Sequence, residues 1–148
     1  MNDATRATER DTVMDVATRA LAGFARSAKT GDFSGFVELL ADDVEFRIPV
    51  GEPKRYDGRA ATVAYLDIFK TADADLDYEP PFRTTRAGNT VVFEYEDHGR
   101  LKGAPYRNTI AISLDIRDGR IAAYREYWGE VDTSALKRLG VLEPGASR

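Results

Sequence analysis

The sequence predicts an α+β fold in which helices precede a long antiparallel meander. Two observations support this prediction. Apolar residues recur at intervals of three and four up to about residue 71, as in amphipathic helices, and only a short strand interrupts them. From about Asp75 onward, apolar and polar residues alternate, as in half-buried strands. A curled sheet with helices on its concave side leaves an apolar pocket between the two layers, where small-molecule sites usually lie.

The composition indicates one soluble domain, expected over residues 9–142, with a disordered segment at 1–8 and a tail at 143–148. A net charge of −4 without a basic patch argues against nucleic acid as a partner. No run approaches the roughly 20 apolar residues of a membrane span, and the N-terminus lacks a signal-peptide core, so we expect a cytoplasmic location. With no cysteine and one histidine, we expect no metal site.

Three helices are predicted in the first half of the chain. The first begins near Asp11, where apolar residues start to recur at helical spacing. Asp32 is placed to cap a short second helix. The third covers residues 59 to about 71 and follows a polar loop.

Alternation predicts a series of strands in which every second side chain faces the core. Pro80 and Pro81 place one of them at an edge or bend, because proline cannot donate a ladder hydrogen bond. Asp118 and Gly119 supply a hairpin turn, because Asp-Gly readily adopts positive φ. The predicted strands cover residues 44–48, 76–86 and 90–98 and the two arms of 106–128.

The last predicted strand leaves open which of its faces is buried. Tyr124 and Trp128 share a face with Glu126, whereas Arg125 lies on the opposite face. Burial of either charge without a partner is costly, so one of them needs a wet or hydrogen-bonded niche. On the preceding strand the apolar face is clear, and it begins with one polar residue, Asn108. Periodicity alone does not decide between the two faces.

Several stretches resemble the NTF2-like superfamily, in particular the SnoaL-like polyketide cyclase and ketosteroid isomerase branch. The matching stretches are GDFSGFVELLADDVEF, PVGEPKRYDGRAATVAY, VVFEY and DGRIAAYREYWG. Together they span roughly Val13 to Gly140. The resemblance implies a cone made by a curved antiparallel sheet with three N-terminal helices over its concave face. It also implies a homodimer formed through the outer face of the sheet.

The catalytic residues of the family's steroid isomerases are mostly missing. This chain has Ile48 at the position of their base and Phe24 at the position of their oxyanion-holding tyrosine. Their second oxyanion donor falls on the strand that carries Asn108, whose amide can still donate a hydrogen bond. The resemblance therefore argues against steroid isomerisation by that mechanism.

Glu126 is the leading catalytic candidate. In relatives, the positions that match Tyr124, Glu126 and Trp128 line the cavity, and epoxide hydrolases and cyclases of the family place a catalytic carboxylate on these late strands. In an apolar cavity, desolvation raises the pKa of a carboxyl toward neutrality, as a general acid or base requires. Alternatively, Glu126 pairs with an arginine at the cavity wall and only stabilises the sheet.

Two further polar residues complete the predicted catalytic set. Asn108 could polarise a substrate carbonyl, or its amide could simply satisfy Glu126 or a buried backbone group. Asp97 could act as a second carboxylate, although an aspartate at a strand end is more often solvated. The residues expected to bind substrate are Phe24, Phe46, Ile48, Tyr56, Tyr65, Phe93, Tyr95, Ile110, Tyr124 and Trp128.

These expectations describe a small cofactor-free enzyme that acts on an apolar small molecule in the cone. The reaction expected is acid–base chemistry: isomerisation, cyclisation, dehydration or epoxide opening. The alternative is a non-catalytic module that binds a hydrophobic ligand or only dimerises.

Overall fold

The structure is a computed structural model that describes residues 3–49, 55–69 and 74–131. The predicted tail, 143–148, lies outside these ranges, as does the predicted domain boundary at residue 142. The helices are α1 (Asp3–Thr30), α2 (Ser34–Val37) and α3 (Arg59–Phe69). The strands are β1 (Leu40–Arg47), β2 (Arg55–Asp57), β3 (Ala74–Tyr78), β4 (Arg83–Ala87), β5 (Thr90–Leu101), β6 (Ala104–Arg117) and β7 (Arg120–Val131).

The α+β class is confirmed, but the sheet is mixed rather than antiparallel. Its strand order is β2-β1-β7-β6-β5-β3, and β4 also pairs with β5. The pairs along β5, β6 and β7 are antiparallel, whereas β1 runs parallel to β7. The prediction missed this pairing because alternation identifies strands but not their non-local neighbours.

The prediction placed all three helices N-terminal to the sheet, and this is wrong for the third helix. The first two precede β1, but α3 lies between β2 and β3 in the chain. The long α1 packs against α2 and β3 and reaches the central strands, while α3 packs against β1 and β2. The helices thus cover different parts of one side of the sheet.

Helix α1 begins at Asp3, not near Asp11, so it includes most of the segment predicted to be disordered, 1–8. The prediction placed the start where the apolar stripe begins. Alanine, arginine and glutamate are strong helix formers, and they recur in this segment, so helix propensity extends α1 beyond its apolar stripe.

The hairpin turns follow their predicted chemistry. Asp118 and Gly119 have φ of 52° and 71°, which is the double positive φ of a tight hairpin turn. Lys102 and Gly103, with φ of 47° and 75°, make the same kind of turn between β5 and β6. The segment that contains Pro80 and Pro81 separates β3 from β4, which both pair with the same edge of β5. The predicted bend at an edge is therefore confirmed.

The hydrophobic core lies on the inner face of the sheet, against the helices. Cross-strand register places Tyr95, Ile110 and Trp128 in one row and Phe93, Ile112 and Glu126 in the row beside it. Asp97 faces Asn108 in the row on the other side of Tyr95. Core and candidate site therefore share one surface.

Gly99→Ala is expected to destabilise the fold by about 2 kcal/mol or more. Gly99 has φ of 144°, and a Cβ atom there would overlap the carbonyl oxygen of Asp75 on the paired strand. Gly103→Ala is the matched control, because Gly103 has φ of 75° with open space around its Cα. It is expected to cost roughly 1 kcal/mol. Urea unfolding measures both, and equal costs would show that the close approach to Asp75 is unimportant.

Candidate functional site

Glu126 lies on the inner face of β7, with Ile112 opposite it in the register. Arg125 lies on the outer face, where it donates hydrogen bonds to Asp115 at 2.6 and 3.0 Å and to Ser113 at 3.1 Å. The alternative in which Arg125 faces the core, which the sequence left open, is therefore wrong. Within the described residues Glu126 has no ion pair, which removes the support for a purely structural role.

The surroundings of Glu126 are aromatic. The Tyr124 hydroxyl donates a weak hydrogen bond to Oε2 at 3.4 Å. Burial raises the pKa of Glu126 to about 7, although the Trp128 indole and the Tyr124 hydroxyl act in the opposite direction. The indole N–H lies close enough to influence the carboxyl but does not meet hydrogen-bond geometry. Glu126 is thus a half-buried carboxyl that exchanges a proton near neutral pH.

Asp97 and Asn108 face each other on β5 and β6, and both are almost fully buried, at 2% and 0% exposure. Asp97 is therefore not the solvated strand-end residue of the alternative prediction. Burial, followed by the charge of Glu126, raises the pKa of Asp97 to about 7. The site thus contains two carboxyl groups that titrate near neutrality and influence each other.

The orientation of Asn108 is set by Tyr106, a residue that the sequence analysis did not select. The Asn108 amide nitrogen donates to the Tyr106 hydroxyl at 3.0 Å. Its carbonyl oxygen, Oδ1, is buried without a partner among the described residues. Asn108 therefore offers a ligand an acceptor, whereas the predicted role was that of a donor. Residues 106 and 108 are two positions apart on one strand, so their side chains point to the same face. This spacing could have identified Tyr106.

Four polar atoms of the inner face have no hydrogen-bond partner within the described part of the chain. They are the hydroxyl of Tyr95, Oδ1 of Asp97, Oδ1 of Asn108 and Nε1 of Trp128. All four atoms are themselves shielded from solvent. Native proteins leave few buried polar groups unpaired, so such a cluster is typical of a functional site.

Tyrosines surround the two carboxyl groups. Tyr78, which the prediction also missed, stacks on Tyr95 with ring centroids 5.1 Å apart. Burial raises the pKa of Tyr124 and Tyr78 well above the usual value, and the charge of Glu126 adds to this. These phenols therefore stay protonated at neutral pH. The pairing of β3 with β5, which the sequence analysis did not assign, brings Tyr78 opposite Asp97.

Several predicted pocket residues form a packed aromatic cluster rather than an open wall. Phe46 and Tyr124 are 0% and 1% exposed and stack with centroids 4.5 Å apart. Tyr56 lies 4.4 Å from Tyr65, and Phe24 stacks on Tyr124 at 5.8 Å. Of the predicted set, the buried members are Phe46, Ile48, Phe93, Tyr95, Ile110 and Tyr124, and the half-buried members are Phe24, Tyr56, Tyr65 and Trp128.

The outer face of the sheet carries ion pairs. Arg107 contacts Glu96 at 2.6 Å, and His98 contacts Glu79 at 2.7 Å. Tyr127 is an exposed aromatic residue on this face. The homodimer expected through this face stays a prediction.

A groove of about 370 Å³ lies between α1 and α2 and includes Arg19, Arg26 and Asp32 in its lining. It contains none of the predicted site residues, so it is distinct from the inner-face site. Among the described side chains, no three or more histidine, aspartate or glutamate residues are grouped to hold a metal ion. Nor does any helix in those ranges have the length and apolar character to cross a membrane.

Comparison with known proteins identifies relatives across most of the chain. The SnoaL-like domain family matches residues 17–124. The uncharacterised protein YesE of Bacillus subtilis (strain 168) is 33% identical over 103 residues, which cover 66% of this chain and 70% of YesE.

Two solved structures share the fold. An NTF2-like protein from Anabaena variabilis ATCC 29413 is 30% identical, with a TM-score of 0.76 over 81% of this chain and 91% of that protein. A proposed isomerase from Bacillus subtilis is 27% identical, with a TM-score of 0.71 over 86% of this chain and 94% of that protein. The NTF2-like cone inferred from the sequence is thereby supported.

Proposed function

Because the chain belongs to the SnoaL-like domain family, we propose that it is a small cofactor-free enzyme that transfers a proton within a small molecule bound in the cone. One observation carries the proposal. Glu126 projects from β7 into an aromatic interior, where burial raises its pKa to about 7. A carboxyl with such a pKa both accepts and returns a proton at neutral pH, which is what general acid–base catalysis needs.

The second carboxyl extends this chemistry. Asp97 and Glu126 repel each other when both are ionised, so near neutral pH the pair favours the state that holds one proton. In that state Glu126 serves as the base and the protonated Asp97 as an acid through its hydroxyl, while the carbonyl oxygen of Asp97 still accepts a hydrogen bond. The pair provides both partners of a proton transfer without a metal or an organic cofactor.

Among the reactions considered, isomerisation fits this pair best. A proton shift breaks one C–H bond, transfers the proton to Glu126 and returns it to another atom of the same molecule. It needs no additional reactant, whereas opening an epoxide by hydrolysis needs a positioned water. The proposed isomerase from Bacillus subtilis, 27% identical, is consistent with this choice.

The test uses a probe that does not require the natural substrate. The isoxazole ring of 5-nitrobenzisoxazole opens when a base removes the proton from its carbon 3, and the N–O bond breaks to give a nitrile and a coloured phenolate. We expect kcat/KM to rise with pH through the pKa of Glu126, about 7, and then to level off. Glu126→Gln is expected to lower kcat/KM by at least about a hundredfold, because the amide cannot accept the proton.

Glu45→Gln is the matched control. Glu45 also belongs to the sheet, but its side chain is exposed, so its replacement should leave kcat/KM unchanged. If the wild type and Glu126→Gln opened the probe equally fast, the catalytic role of Glu126 would be refuted. Binding of the probe without turnover would instead favour a ligand-binding module.

A further inference from the structure

From the unpartnered polar atoms of the inner face, we infer that the ligand is a neutral molecule that carries a hydrogen-bond acceptor and a donor side by side on an apolar body. This inference deepens the proposed function and rests on it, since it concerns the same site. An amide or a hydroxy-ketone on a ring system has this chemistry. A carboxylate of the same shape does not.

The donors of the site lie in one row of the sheet. The Tyr95 hydroxyl and the Trp128 indole N–H flank Ile110 in the register. The first lies near Tyr78 and the second near Glu126, but neither meets hydrogen-bond geometry with a partner among the described residues. Tyr95 is fully buried, and burial raises its pKa, so its hydroxyl keeps its proton. An indole N–H can only donate. This row therefore suits a carbonyl or another acceptor of the ligand.

The acceptors lie in the next row. Asp97 and Asn108 are opposite each other, and Oδ1 of each is buried without a partner within the described ranges. The Asn108 amide nitrogen already donates to Tyr106, which leaves its carbonyl oxygen as the group presented to a ligand. This row suits an N–H or O–H group of the ligand. The neighbouring rows thus match a donor next to an acceptor.

The charges of the site disfavour an anionic ligand. No lysine or arginine is among the buried residues that the structure describes, whereas Asp97 is buried and Glu126 lies on the same face. A carboxylate brought to this surface would meet the negative charge that the pair retains and, among the described buried residues, no compensating cation. The site should bind an amide much more tightly than a carboxylate, because a buried polar group that lacks a partner, or that faces a like charge, costs free energy.

The test compares three probes with one skeleton: 2-naphthamide, methyl 2-naphthoate and 2-naphthoate. The amide has an acceptor and a donor, the ester only acceptors, and the carboxylate a negative charge. The chain has one tryptophan, so nitrogen-15 labelling gives a single indole N–H signal, that of Trp128. Titration with each probe, followed at this signal, yields its Kd.

We expect 2-naphthamide to bind about tenfold or more tightly than 2-naphthoate, with the ester between them. The indole signal should move downfield as its N–H gains an acceptor. Tyr95→Phe should weaken the amide and the ester alike, because both present a carbonyl. Asn108→Leu should weaken only the amide, by about tenfold, because only the amide offers a donor.

The inference is overturned if 2-naphthoate binds as tightly as 2-naphthamide, or if the indole signal is unmoved by all three probes. Tyr95→Phe removes only one oxygen atom, so it is the smaller change. It still tests the donor row if Asn108→Leu does not fold. Repeating the titrations in Glu126→Gln separates the two proposals. Selective binding that survives in this variant supports the ligand class even if the proton-transfer assay fails.

Discussion

The double variant Asp97→Asn with Glu126→Gln is expected to be more stable than the wild type at about pH 8, by roughly 3 kcal/mol or more. Asp97 is buried and Glu126 is half-buried, and the ionised form of each loses hydration there. Amides of nearly the same shape remove this cost because they carry no charge. A pair of substitutions at the proposed catalytic centre should thus stabilise the fold while abolishing activity.

The direction in which stability changes with pH follows from the number of protons that the folded and unfolded states bind. The pKa of Asp97 rises from 3.8 to about 7 and that of Glu126 from 4.5 to about 7, so between these values the folded state binds more protons than the unfolded state. The stability of the wild type therefore falls as the pH rises from about 4 to about 7, and the loss is complete above that range. At about 1.4 kcal/mol per pH unit, the shift of Glu126 alone corresponds to about 3 kcal/mol and that of Asp97 alone to about 4 kcal/mol.

Urea unfolding at several pH values measures this effect. Below about pH 3 both groups are largely protonated in both states, so the double variant and the wild type should be about equally stable. Glu45→Gln, on an exposed side chain, should change stability by no more than about 0.5 kcal/mol at any of these pH values. Parallel curves for the wild type and the double variant would show that the two carboxyl groups are not desolvated.

Phe46→Ala is expected to destabilise the protein by about 3–5 kcal/mol. Phe46 is 0% exposed and stacks on Tyr124, and its ring also lies 5.7 Å from that of Tyr65. The substitution leaves a cavity between β1 and β7 and removes the ring against which Tyr124 packs. We therefore also expect Glu126, which is held beside Tyr124, to lose catalytic efficiency.

Phe82→Ala serves as the control for this substitution. Phe82 is 62% exposed, so loss of its ring should cost no more than about 0.5 kcal/mol. Urea unfolding of the two variants at one pH gives the comparison. Similar small costs for both would mean that the aromatic cluster around Tyr124 is loosely packed.

Local sequence patterns predicted those parts of the fold that depend on local interactions. The Asp118-Gly119 turn and the edge position of the Pro80-Pro81 segment follow from backbone conformations that these residues impose. The parallel pairing of β1 with β7 did not follow, because both strands alternate in the same way whichever neighbour they have. Non-local partners depend on how the whole sheet curls.

The candidate site was predictable to a similar degree. Periodicity left the face of Glu126 open, so this residue was selected through the family resemblance, and the structure places it on the inner face. Tyr78 and Tyr106 were missed because their relation to Asp97 and Asn108 arises from register and side-chain orientation. Which end of an amide remains unpaired is likewise a property of its neighbours, so the acceptor role of Asn108 was not visible in the sequence.

The interruption between β3 and β4 has a consequence for self-association. In the described part of the chain, the sheet ends on one side at β2, of three residues, and on the other at two five-residue strands offset by the proline segment. A strand from another molecule would find no long, straight row of free backbone groups to extend. The open margins of this unclosed sheet are therefore poor templates for fibril growth, although no barrel closure protects them.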